Sequence, residues 1–483
     1  MKKIALLYSI LFSSILFAQE KPKGIYYEIF VRSFHDSNGD GIGDINGIIQ
    51  KLDYLKDLGI SGIWLTPVHP SPTYHKYDVL DYKDIDPEYG TIADYKLLVK
   101  EAHQRGIKIL LDLVVNHTSS EHSWFKAACN NDPFYKNFYV WSDTARSHGW
   151  YSNPKNPQEK YYAFFWERMP DLNFDNENVR KHIIDAGIFW IREIGIDGFR
   201  LDAAQHVYEP NDVILNNIWW SEFRNAMKKI NPNIFIVGEV WNKDSIVATY
   251  LKSSLDASFN FDLSISITKT LKDTNALGFM DKLINIHRLY SSFNPNFVDA
   301  IFISNHDQDR YRSSFYGDWA KTRQAFIMLM TLPGIPFIYY GEEIGMLGEF
   351  PDEYRREPML WHANNDENTK WEKAKHSTLN SVSALNNQLN DTNSHFFYCK
   401  KIIALRNKYR TLSEGKLMPT KLVTSSKSII AYELHRGKEK ILVVHNISPN
   451  SESIKPFKYK KTLWGEIKNN SISGNGSIVQ IIQ

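Results

Sequence analysis

The sequence predicts an α/β fold: a (β/α)8 (TIM) barrel with an inserted subdomain after strand 3 and a C-terminal antiparallel β-domain. The first observation is a recurring unit in which an amphipathic helix, a glycine and a short apolar run follow one another. The second is that these runs are continuously apolar, as in parallel strands whose two faces are both buried. The third is their number, because eight such strands separated by helices close naturally into a barrel.

The candidate strands lie in order between residues 25 and 343. Helices are predicted over about 93–104 and 179–193, and each is followed by a glycine, Gly106 or Gly195, as the left-handed residue that ends a helix. A further helix over about 397–408 ends the series. The apolar runs predicted as strands are 25–34, 62–68, 107–115, 196–204, 234–241, 256–263, 298–307 and 335–343.

One connection is too long for an ordinary barrel loop. About 60 residues, rich in Trp, Tyr, Asn and Pro, separate the strand that ends near Asn116 from the helix that begins near Asn178. An insertion of that size is expected to form a subdomain at the C-terminal face of the barrel, where function usually lies. From about residue 415, apolar runs around a Gly-containing turn indicate antiparallel strands. The predicted division is signal peptide 1–18, barrel 19–116, inserted subdomain 117–177, barrel 178–414 and β-domain 415–483.

The first residues are predicted to form a secretory signal peptide rather than part of the fold. Lys2 and Lys3 precede an apolar run over 4–17, which is shorter than the roughly 20 residues needed to span a bilayer. Cleavage after Ala18 would release an exported protein, periplasmic or secreted, and no cysteine lies near that point to carry a lipid anchor. We therefore expect an exported protein without a membrane anchor, and we expect it to be a monomer.

Composition and charge exclude several classes of protein. Lys and Arg number 57 against 55 Asp and Glu, so the formal charge of +2 gives no attraction to nucleic acid or to an anionic membrane. Aromatic residues make up 14% of the chain, which fits either an ordinary core or a cleft that stacks on flat ligand faces. Cys129 and Cys399 lack metal-ligand spacing. One disulfide between them is permitted, and two buried free thiols are the favoured interpretation.

Three carboxylates, each at the mouth end of a different predicted strand, are the candidate catalytic groups: Asp202, Glu239 and Asp307. Arg200 lies two residues before Asp202, so both side chains leave the strand on the same side, and a guanidinium there favours an ionised carboxylate suited to nucleophilic attack. The apolar neighbours of Glu239 are expected to raise its pKa and keep a proton available for donation. Such a pair serves glycoside hydrolysis. The residues alone do not rank Asp202 above Asp307 as the nucleophile.

The runs DLVVNH, GFRLDAAQH, GEVW and FISNHD together resemble the four signature regions of the α-amylase family of glycoside hydrolases (family 13), in the same order. The resemblance covers residues 25 to about 410 and implies a retaining mechanism on α-glucosidic bonds. It implies that Asp202 is the nucleophile, Glu239 the general acid/base and Asp307 the stabiliser of the transition state. The residues that it assigns to the sugar at and beside the cleavage point are Tyr77, Asp78, His117, Arg200, His306 and Arg356.

Shorter sequence matches indicate which subfamily the chain resembles. MPDLN at 169–173, and Ala203 and Ala204 after the nucleophile, resemble an intermediate bacterial α-amylase group between oligo-1,6-glucosidases and neopullulanases. Two departures concern the cleft. Gln205 replaces a basic residue that amylases often have, which puts contacts on the leaving-group side in doubt. Lys76 stands where relatives usually have glycine, which predicts a narrower or more cationic mouth.

The expected activity is that of an α-amylase, with retaining endo-hydrolysis of α-1,4-glucosidic bonds in starch, glycogen and maltooligosaccharides. Asp78 and Arg356 resemble a pair that closes on the non-reducing sugar, and a plain surface ion pair is the alternative for them. Because exo-acting enzymes share such a pair, the alternatives are an exo-acting α-glucosidase and a neopullulanase-like or transglycosylating enzyme. An inactive sugar-binding barrel is the third interpretation; it predicts the loss of at least one catalytic acid, and all three are present.

A loop after the first strand has the spacing of a structural Ca²⁺ site. The candidate oxygen ligands, at positions 1, 3, 5, 7 and 9 of the loop, are Asp36, Asn38, Asp40, the Ile42 carbonyl and Asp44. Position 12 is not Glu and a strand precedes the loop, so it is no EF-hand, and an exposed Asn/Gly turn is the alternative. A second site, implied by the resemblance alone, would use Asn116, Asp171 and the His206 carbonyl. Either ion would be structural, because hydrolysis by paired carboxylates needs no metal.

Overall fold

The computed structural model describes residues 22–144, 148–208, 212–364, 367–420, 422 and 426–482. The predicted signal peptide, 1–18, lies outside the described residues, so its cleavage and the export that it implies stay predictions. None of the helices in the described part of the chain has the length and apolar character needed to cross a membrane. Cys129 and Cys399 are both buried free thiols, as predicted.

Eight parallel strands form a closed barrel, which confirms the predicted fold class. Each strand pairs in parallel with the strand that follows it in the chain. The first strand closes the ring, because it pairs with both the second strand and the last. The strands are almost entirely buried, as expected when helices cover one face and side chains fill the other. Their bounds are Tyr26–Ile29 (β1), Gly62–Leu65 (β2), Lys108–Leu113 (β3), Gly198–Leu201 (β4), Phe235–Gly238 (β5), Ala257–Phe259 (β6), Val298–Ile301 (β7) and Ile335–Tyr339 (β8).

The strands are shorter than the apolar runs that predicted them. The clearest difference lies in 256–263, where only Ala257–Phe259 is strand. Asn260 then caps a helix that begins at Phe261, because its side chain accepts a hydrogen bond from the backbone N–H of Leu263 (2.9 Å). Hydrophobicity alone does not separate the end of a buried strand from the first turn of a buried helix.

Helices cover the outside of the barrel, and Gly106 and Gly195 have the positive φ expected after the helices they follow. The helix before Gly195 ends in a π-helical turn, Trp190–Ile194. The longer helices are Ile45–Gln50, Leu52–Leu58, Ile92–Gln104, Glu177–Phe189, Val213–Ile230, Asp244–Leu251, Phe261–Asp273, Phe279–Phe293, Trp319–Thr331 and His395–Lys408. Short helical turns are Val31–Phe34, Tyr311–Ser314, Glu342–Ile344, Asp352–Arg355, Leu385–Gln388 and Thr411–Glu414.

Aromatic side chains fill the interior of the barrel. The ring centroids of Tyr26 and Phe337 lie 5.2 Å apart, as do those of Trp64 and Phe259. Gly62 makes room for this layer, since a Cβ at that position would lie 2.2 Å from the ring of Tyr26. The layer is a solid floor beneath the C-terminal ends of the strands, so a ligand bound there meets a closed base rather than a channel.

The segment between β3 and β4 forms a small subdomain of its own. It contains the helix Ser123–Cys129, the helical turn Lys136–Phe138 and a three-stranded antiparallel sheet. An isolated bridge between His117 and Asp171 joins its two ends, and another bridge pairs Tyr139 with Leu172. The sheet consists, in spatial order, of Trp141–Ser142, Asn156–Tyr162 and Trp150–Asn153.

The chain ends in antiparallel sheet, as the fold class predicts. The hydroxyl of Tyr432, in this sheet, donates to Thr331 Oγ1 (2.9 Å) on a barrel helix, which ties the sheet to the barrel. The five-stranded sheet consists, in spatial order, of Lys416–Pro419, Ile429–Arg436, Glu439–Asn446, Ser477–Ile482 and Tyr459–Trp464. A two-stranded ribbon pairs Glu452–Ser453 with Ser471–Ile472.

Candidate active site

A cavity of about 730 Å³ opens at the C-terminal ends of the barrel strands. All three candidate acids line it: Asp202 follows β4, Glu239 follows β5, and Asp307 lies in the segment after β7. The closed parallel barrel brings the ends of these distant segments to one face. The full lining is His75, Tyr77, His117, Phe165, Trp166, Met169, Asp202, Ala203, Gln205, His206, Glu239, Trp241, Asp307, Asp352 and Arg356.

Arg200 joins the acidic groups from beneath. It lies in β4, is 1% exposed, and its register neighbour in β3 is Asp112. Its Nη1 donates to Asp112 (3.0 Å) and to Asp202 (2.5 Å), and its Nη2 donates to Glu239 (2.7 Å). One guanidinium therefore contacts carboxylates from three adjacent strands, and it holds the two that face the cavity close to each other.

Burial dominates the acidity of the two carboxyls that Arg200 joins. Desolvation raises the pKa of Asp202 and of Glu239 above their ordinary values, and Arg200 only partly opposes it. For Glu239 this confirms the predicted direction. For Asp202 the expectation that the guanidinium would favour the ionised form left out the cost of burying the charge, which is the larger effect.

Asp307 has the opposite character. Burial would raise the pKa of its carboxyl, but His306 and Arg356 hold it well below the usual range. His306 Nε2 lies 3.0 Å from one oxygen, and Arg356 Nη2 lies 2.9 Å from the other. The Asp307 side chain is nevertheless 33% exposed at the cavity. A carboxylate kept ionised in this way suits stabilisation of positive charge better than it suits proton transfer.

Two acids that the sequence analysis did not single out belong to the same network: Glu28 in β1 and Asp112 in β3. Glu28 Oε1 lies 2.6 Å from His306 Nδ1, and both groups are buried. Burial would lower the pKa of His306, but Asp307 and Glu28 raise it to about 10. Burial also raises the pKa of Asp112 to about 7. The signal was present in the sequence, since each is the single acid of its strand and has an apolar residue on either side.

The residues expected at the sugar fall into two groups. Those that line the cavity are Tyr77, His117 and Arg356. Those that lie behind the lining, each at most 1% exposed, are Asp78, Arg200 and His306. His306 shows how the second group reaches a ligand, because its ring stacks on Tyr77 with centroids 5.5 Å apart and its Nε2 contacts Asp307. Its influence therefore passes through two residues that do line the cavity.

Asp78 and Arg356 form hydrogen bonds with different residues. Arg356 is buried and donates to Asp307 (2.9 Å) and Asp352 (3.1 Å). Asp78 is also buried and accepts hydrogen bonds from the hydroxyls of Ser71 and Thr73. Burial rules out the surface ion pair as the explanation for either residue. The second oxygen of Asp78 is also buried and has no hydrogen-bond partner among the described residues.

Lys76 does not make the mouth of the cavity cationic, which corrects the expectation drawn from the sequence. Its side chain is 3% exposed, and its Nζ lies 2.8 Å from Asp86 and 2.7 Å from Glu88. Its backbone has a φ of +64°, the left-handed conformation that glycine adopts without strain. Gln205 does line the cavity, and its side chain contacts His206, the Trp241 carbonyl and Asn242.

The loop predicted to bind calcium is shaped by its own hydrogen bonds. Asp36 accepts from the backbone N–H groups of Asn38 (3.1 Å), Gly39 (2.7 Å) and Gly41 (2.8 Å). Asp44 caps the helix Ile45–Gln50 and accepts from Ser37 and Gly47. Within the described ranges, no three His, Cys, Asp or Glu side chains form a group that could hold a metal ion. What the loop offers a cation is the oxygen chemistry of Asp36, Asn38, Asp40, the Ile42 carbonyl and Asp44.

At the second predicted cation site, a buried oxygen lacks a hydrogen-bond partner within the described part of the chain. Asn116 Oδ1 is buried and has no hydrogen-bond partner among the described residues. The bridge between His117 and Asp171 places Asp171, which is 5% exposed, beside the same stretch of chain. A carboxamide oxygen without a partner near a buried carboxylate has the chemistry of a cation site, as the resemblance implies.

Comparison with known proteins agrees with this geometry. The family profile described as "Alpha amylase, catalytic domain" matches residues 28–415. "Alpha-amylase 3" of Dictyoglomus thermophilum is 47% identical over 431 residues, which span 88% of this chain and 84% of that one. An oligo-1,6-glucosidase of Heyndrickxia coagulans is 32% identical over 526 residues, 89% of this chain and 92% of its own. A solved α-amylase from H. orenii superposes with a TM-score of 0.88 at 37% identity, covering 95% of this chain and 99% of that one. The chain therefore belongs to the α-amylase family of glycoside hydrolases and is an enzyme that acts on α-glucans.

Proposed function

We propose that the protein is an α-amylase that hydrolyses α-1,4-glucosidic bonds within starch, glycogen and maltooligosaccharide chains, with retention of configuration. The observation that carries the proposal is that Asp202 and Glu239 sit on the two terminal nitrogens of one guanidinium at the cavity wall. Carboxylates joined in this way are close together, as in retaining glycosidases, where the separation is about 5 Å. An inverting enzyme needs a wider gap, because a water molecule must fit beside the sugar.

The site supplies each group that the two steps require. In the first step Glu239 donates its proton to the glycosidic oxygen, an Asp202 oxygen attacks the anomeric carbon, and the bond to the leaving chain breaks. In the second step the Glu239 carboxylate takes a proton from water, whose oxygen attacks the same carbon and releases Asp202. The raised pKa of Glu239 keeps its proton at hand, and the ionised Asp307 stabilises the positive charge that develops on the sugar.

Exposed aromatic rings at the cavity support binding of a chain rather than a single sugar. Phe165 is 46% exposed, Trp166 38% and Trp241 46%. Trp241 lies flat on Phe261, with ring centroids 4.5 Å apart and planes 11° apart, so its outer face is held in a fixed orientation. Flat apolar rings of this kind stack on the apolar faces of glucose units.

A second candidate activity, an exo-acting α-glucosidase, is favoured by one observation. Arg356 is buried, and its contacts with Asp307 and Asp352, both of which line the cavity, put a fixed ion-paired wall beside the third catalytic acid. Such a wall would stop a glucan chain from extending past the sugar at the cleavage point. Release of single glucose units would then be the main reaction.

Product analysis separates the two activities. The chain from Gln19 onward is incubated with soluble starch and, separately, with p-nitrophenyl α-glucoside, beside an Asp202→Asn variant. A rapid fall in iodine staining with mixed maltooligosaccharides is expected for the α-amylase. Glucose as the single product, with fast cleavage of the aryl glucoside, would establish the exo-acting enzyme. Product formation equal to that of the Asp202→Asn variant would contradict both.

Removing the Trp241 ring is expected to weaken binding of long chains more than it slows the chemistry. Loss of a stacking face costs about 1–2 kcal/mol, so the Trp241→Ala variant should show a KM for soluble starch raised about 5- to 30-fold, with kcat changed much less. Steady-state kinetics on starch and on a short maltooligosaccharide measure both constants. An unchanged KM for starch would mean that the Trp241 face does not contact the substrate.

We propose that a structural Ca²⁺ is held in the loop by Asp36, Asn38, Asp40, the Ile42 carbonyl and Asp44. All of these groups offer oxygen, the ligand atom that Ca²⁺ prefers, and their alternate spacing matches the first half of known calcium loops. When bound, the ion would fix the segment between β1 and the helix Ile45–Gln50. It takes no part in the chemistry.

Calcium binding of this kind is expected to appear as thermal stability. EGTA should lower the melting temperature of the wild-type chain by a few degrees. The Asp40→Ala variant should have this lower melting temperature both with and without EGTA. Asp132→Ala is a matched control, because Asp132 also accepts backbone hydrogen bonds in a turn but lies far along the chain from the loop. A wild-type melting temperature that does not respond to calcium would rule out the site.

A further inference from the structure

His306 lies between two carboxylates that it contacts through different ring nitrogens. Nδ1 is 2.6 Å from Glu28 Oε1, and Nε2 is 3.0 Å from Asp307 Oδ2. The His306 side chain is 0% exposed and that of Glu28 2%, so solvent does not weaken the first contact. A neutral imidazole has one N–H and must turn a lone pair toward one of its two neighbours. Only the doubly protonated ring donates to both carboxylates, so the geometry selects the imidazolium.

We propose that Glu28 is a positioning residue for the hydrolytic reaction: it keeps His306 doubly protonated, and His306 in turn keeps Asp307 ionised and directed at the cavity. Glu28 does not line the cavity and acts on the reacting sugar only through these two side chains. The inference rests on the role given to Asp307 in the proposed function. It adds a residue of β1, the strand that carries none of the residues expected to contact the sugar.

Other groups around His306 are consistent with a cation at this position. The Tyr77 hydroxyl lies 2.6 Å from Nε2 and donates onward to Asp112 (3.2 Å), so Tyr77 is placed to accept from the ring. The ring of Trp64 meets that of His306 edge to face at 5.6 Å. The imidazolium also lowers the pKa of the Asp112 and Asp202 carboxyls. Arg356 approaches from the far side, where its Nε donates to the His306 carbonyl (3.0 Å) while its Nη2 contacts Asp307 and Asp352.

The Glu28→Gln variant tests the proposal because it removes the charge and keeps an oxygen that accepts a hydrogen bond from Nδ1. Without the Glu28 charge the ring loses its proton at lower pH, and Nε2 then presents a lone pair to Asp307. We expect kcat for maltooligosaccharide hydrolysis to fall about tenfold or more relative to wild type at about pH 8, and less than about threefold at about pH 5, where the ring is protonated again. KM should change little at either pH.

Glu343→Gln is the matched control. Glu343 is as buried as Glu28, but it accepts from the hydroxyls of Tyr27 and Tyr54 rather than from His306. Its loss should leave the shape of the pH profile as in wild type, whatever it does to stability. Thermal melting of each variant shows that the measured protein is folded at both pH values.

A second readout does not depend on substrate. NMR of histidine ring carbons, with the His306 signal assigned from its absence in a His306→Asn variant, should show an imidazolium up to at least about pH 9 in wild type and a titration at least about two pH units lower in Glu28→Gln. A uniform loss of activity at all pH values, an unmoved His306 titration, or an equal change in Glu343→Gln would overturn the proposal. A shifted titration in a protein that hydrolyses no α-1,4-glucan would contradict the proposed function instead and would leave the pairing of Glu28 with His306 established.

Discussion

The Glu239→Gln variant is expected to lose about 10³-fold or more in kcat on starch and maltooligosaccharides while it still binds them. Glu239 Oε2 accepts hydrogen bonds from Arg200 Nη2 (2.7 Å) and from the backbone N–H of Ala203 (3.1 Å). A glutamine oxygen can accept both, so the site keeps its shape. What disappears is the proton for the glycosidic oxygen in the first step and the base for water in the second. Steady-state kinetics and calorimetric titration with a maltooligosaccharide measure the two effects.

The leaving group provides an internal check on this assignment. An aryl maltooligosaccharide with an acidic phenol needs little protonation of its leaving group, so the first step of the Glu239→Gln variant should be slowed far less on that substrate than on starch, and the phenol should be released in a burst. Glu167→Gln, a change in an exposed residue next to Trp166, serves as the control and should retain full activity. Near-normal turnover of starch by Glu239→Gln would refute the assignment of Glu239 as the general acid/base.

The Arg200→Met variant is expected to lose about 3–5 kcal/mol of folding free energy at neutral pH and nearly all activity. Methionine has a similar length but leaves Asp112, Asp202 and Glu239 buried without their shared cation. Because Arg200 lowers the pKa of all three carboxyls, its removal raises each of those values further. A carboxyl with a raised pKa in the folded state is tolerated when protonated and costs free energy as pH rises. The loss should therefore be larger at about pH 7 than at about pH 4.5.

Urea denaturation at the two pH values gives these free energies directly. Arg224→Met is the control, because Arg224 pairs with Asp256 at 2.8 Å but is 23% exposed, and Lys228 contacts the same carboxylate at 2.8 Å. Its loss should cost about 1 kcal/mol or less. An Arg200→Met loss that is small, or that does not depend on pH, would mean that the three carboxylates do not rely on Arg200 for their charge.

The fold and the three acids could be predicted from the sequence because each of them has a strong local sequence pattern. The continuous apolar runs predict buried parallel strands, and a polar residue that follows such a run, as Asp202 and Glu239 do, must lie where the strand ends. The prediction of a strand over 256–263 was wrong for the second half of that segment. The signal that ends β6 is a single side-chain cap at Asn260. Caps of this kind depend on one hydrogen bond and are weak in the sequence.

The network beneath the acids was harder to predict, because it depends on which strands are neighbours across the barrel. Glu28 in β1 meets His306 after β7, a separation of 278 residues, because β1 closes the ring by pairing with β8, which in turn pairs with β7. Lys76 illustrates a different difficulty: its charge is visible in the sequence, but the direction of its side chain is set by Asp86 and Glu88. The sequence can therefore indicate that a residue is functional without indicating which side chains it contacts.

Acids outnumber cations around the cleavage point. Burial raises the pKa of Asp112 to about 7 and that of Glu239 above its ordinary value, so protons on these two groups balance part of this excess. A ligand that brings its own positive charge to the anomeric position can take the place of such a proton. Basic sugar mimics should therefore be held more tightly than neutral sugars of the same shape, and their affinity should rise with pH for as long as the amine stays protonated. The groups concerned are the acids Glu28, Asp112, Asp202, Glu239 and Asp307 and the cations Arg200, His306 and Arg356.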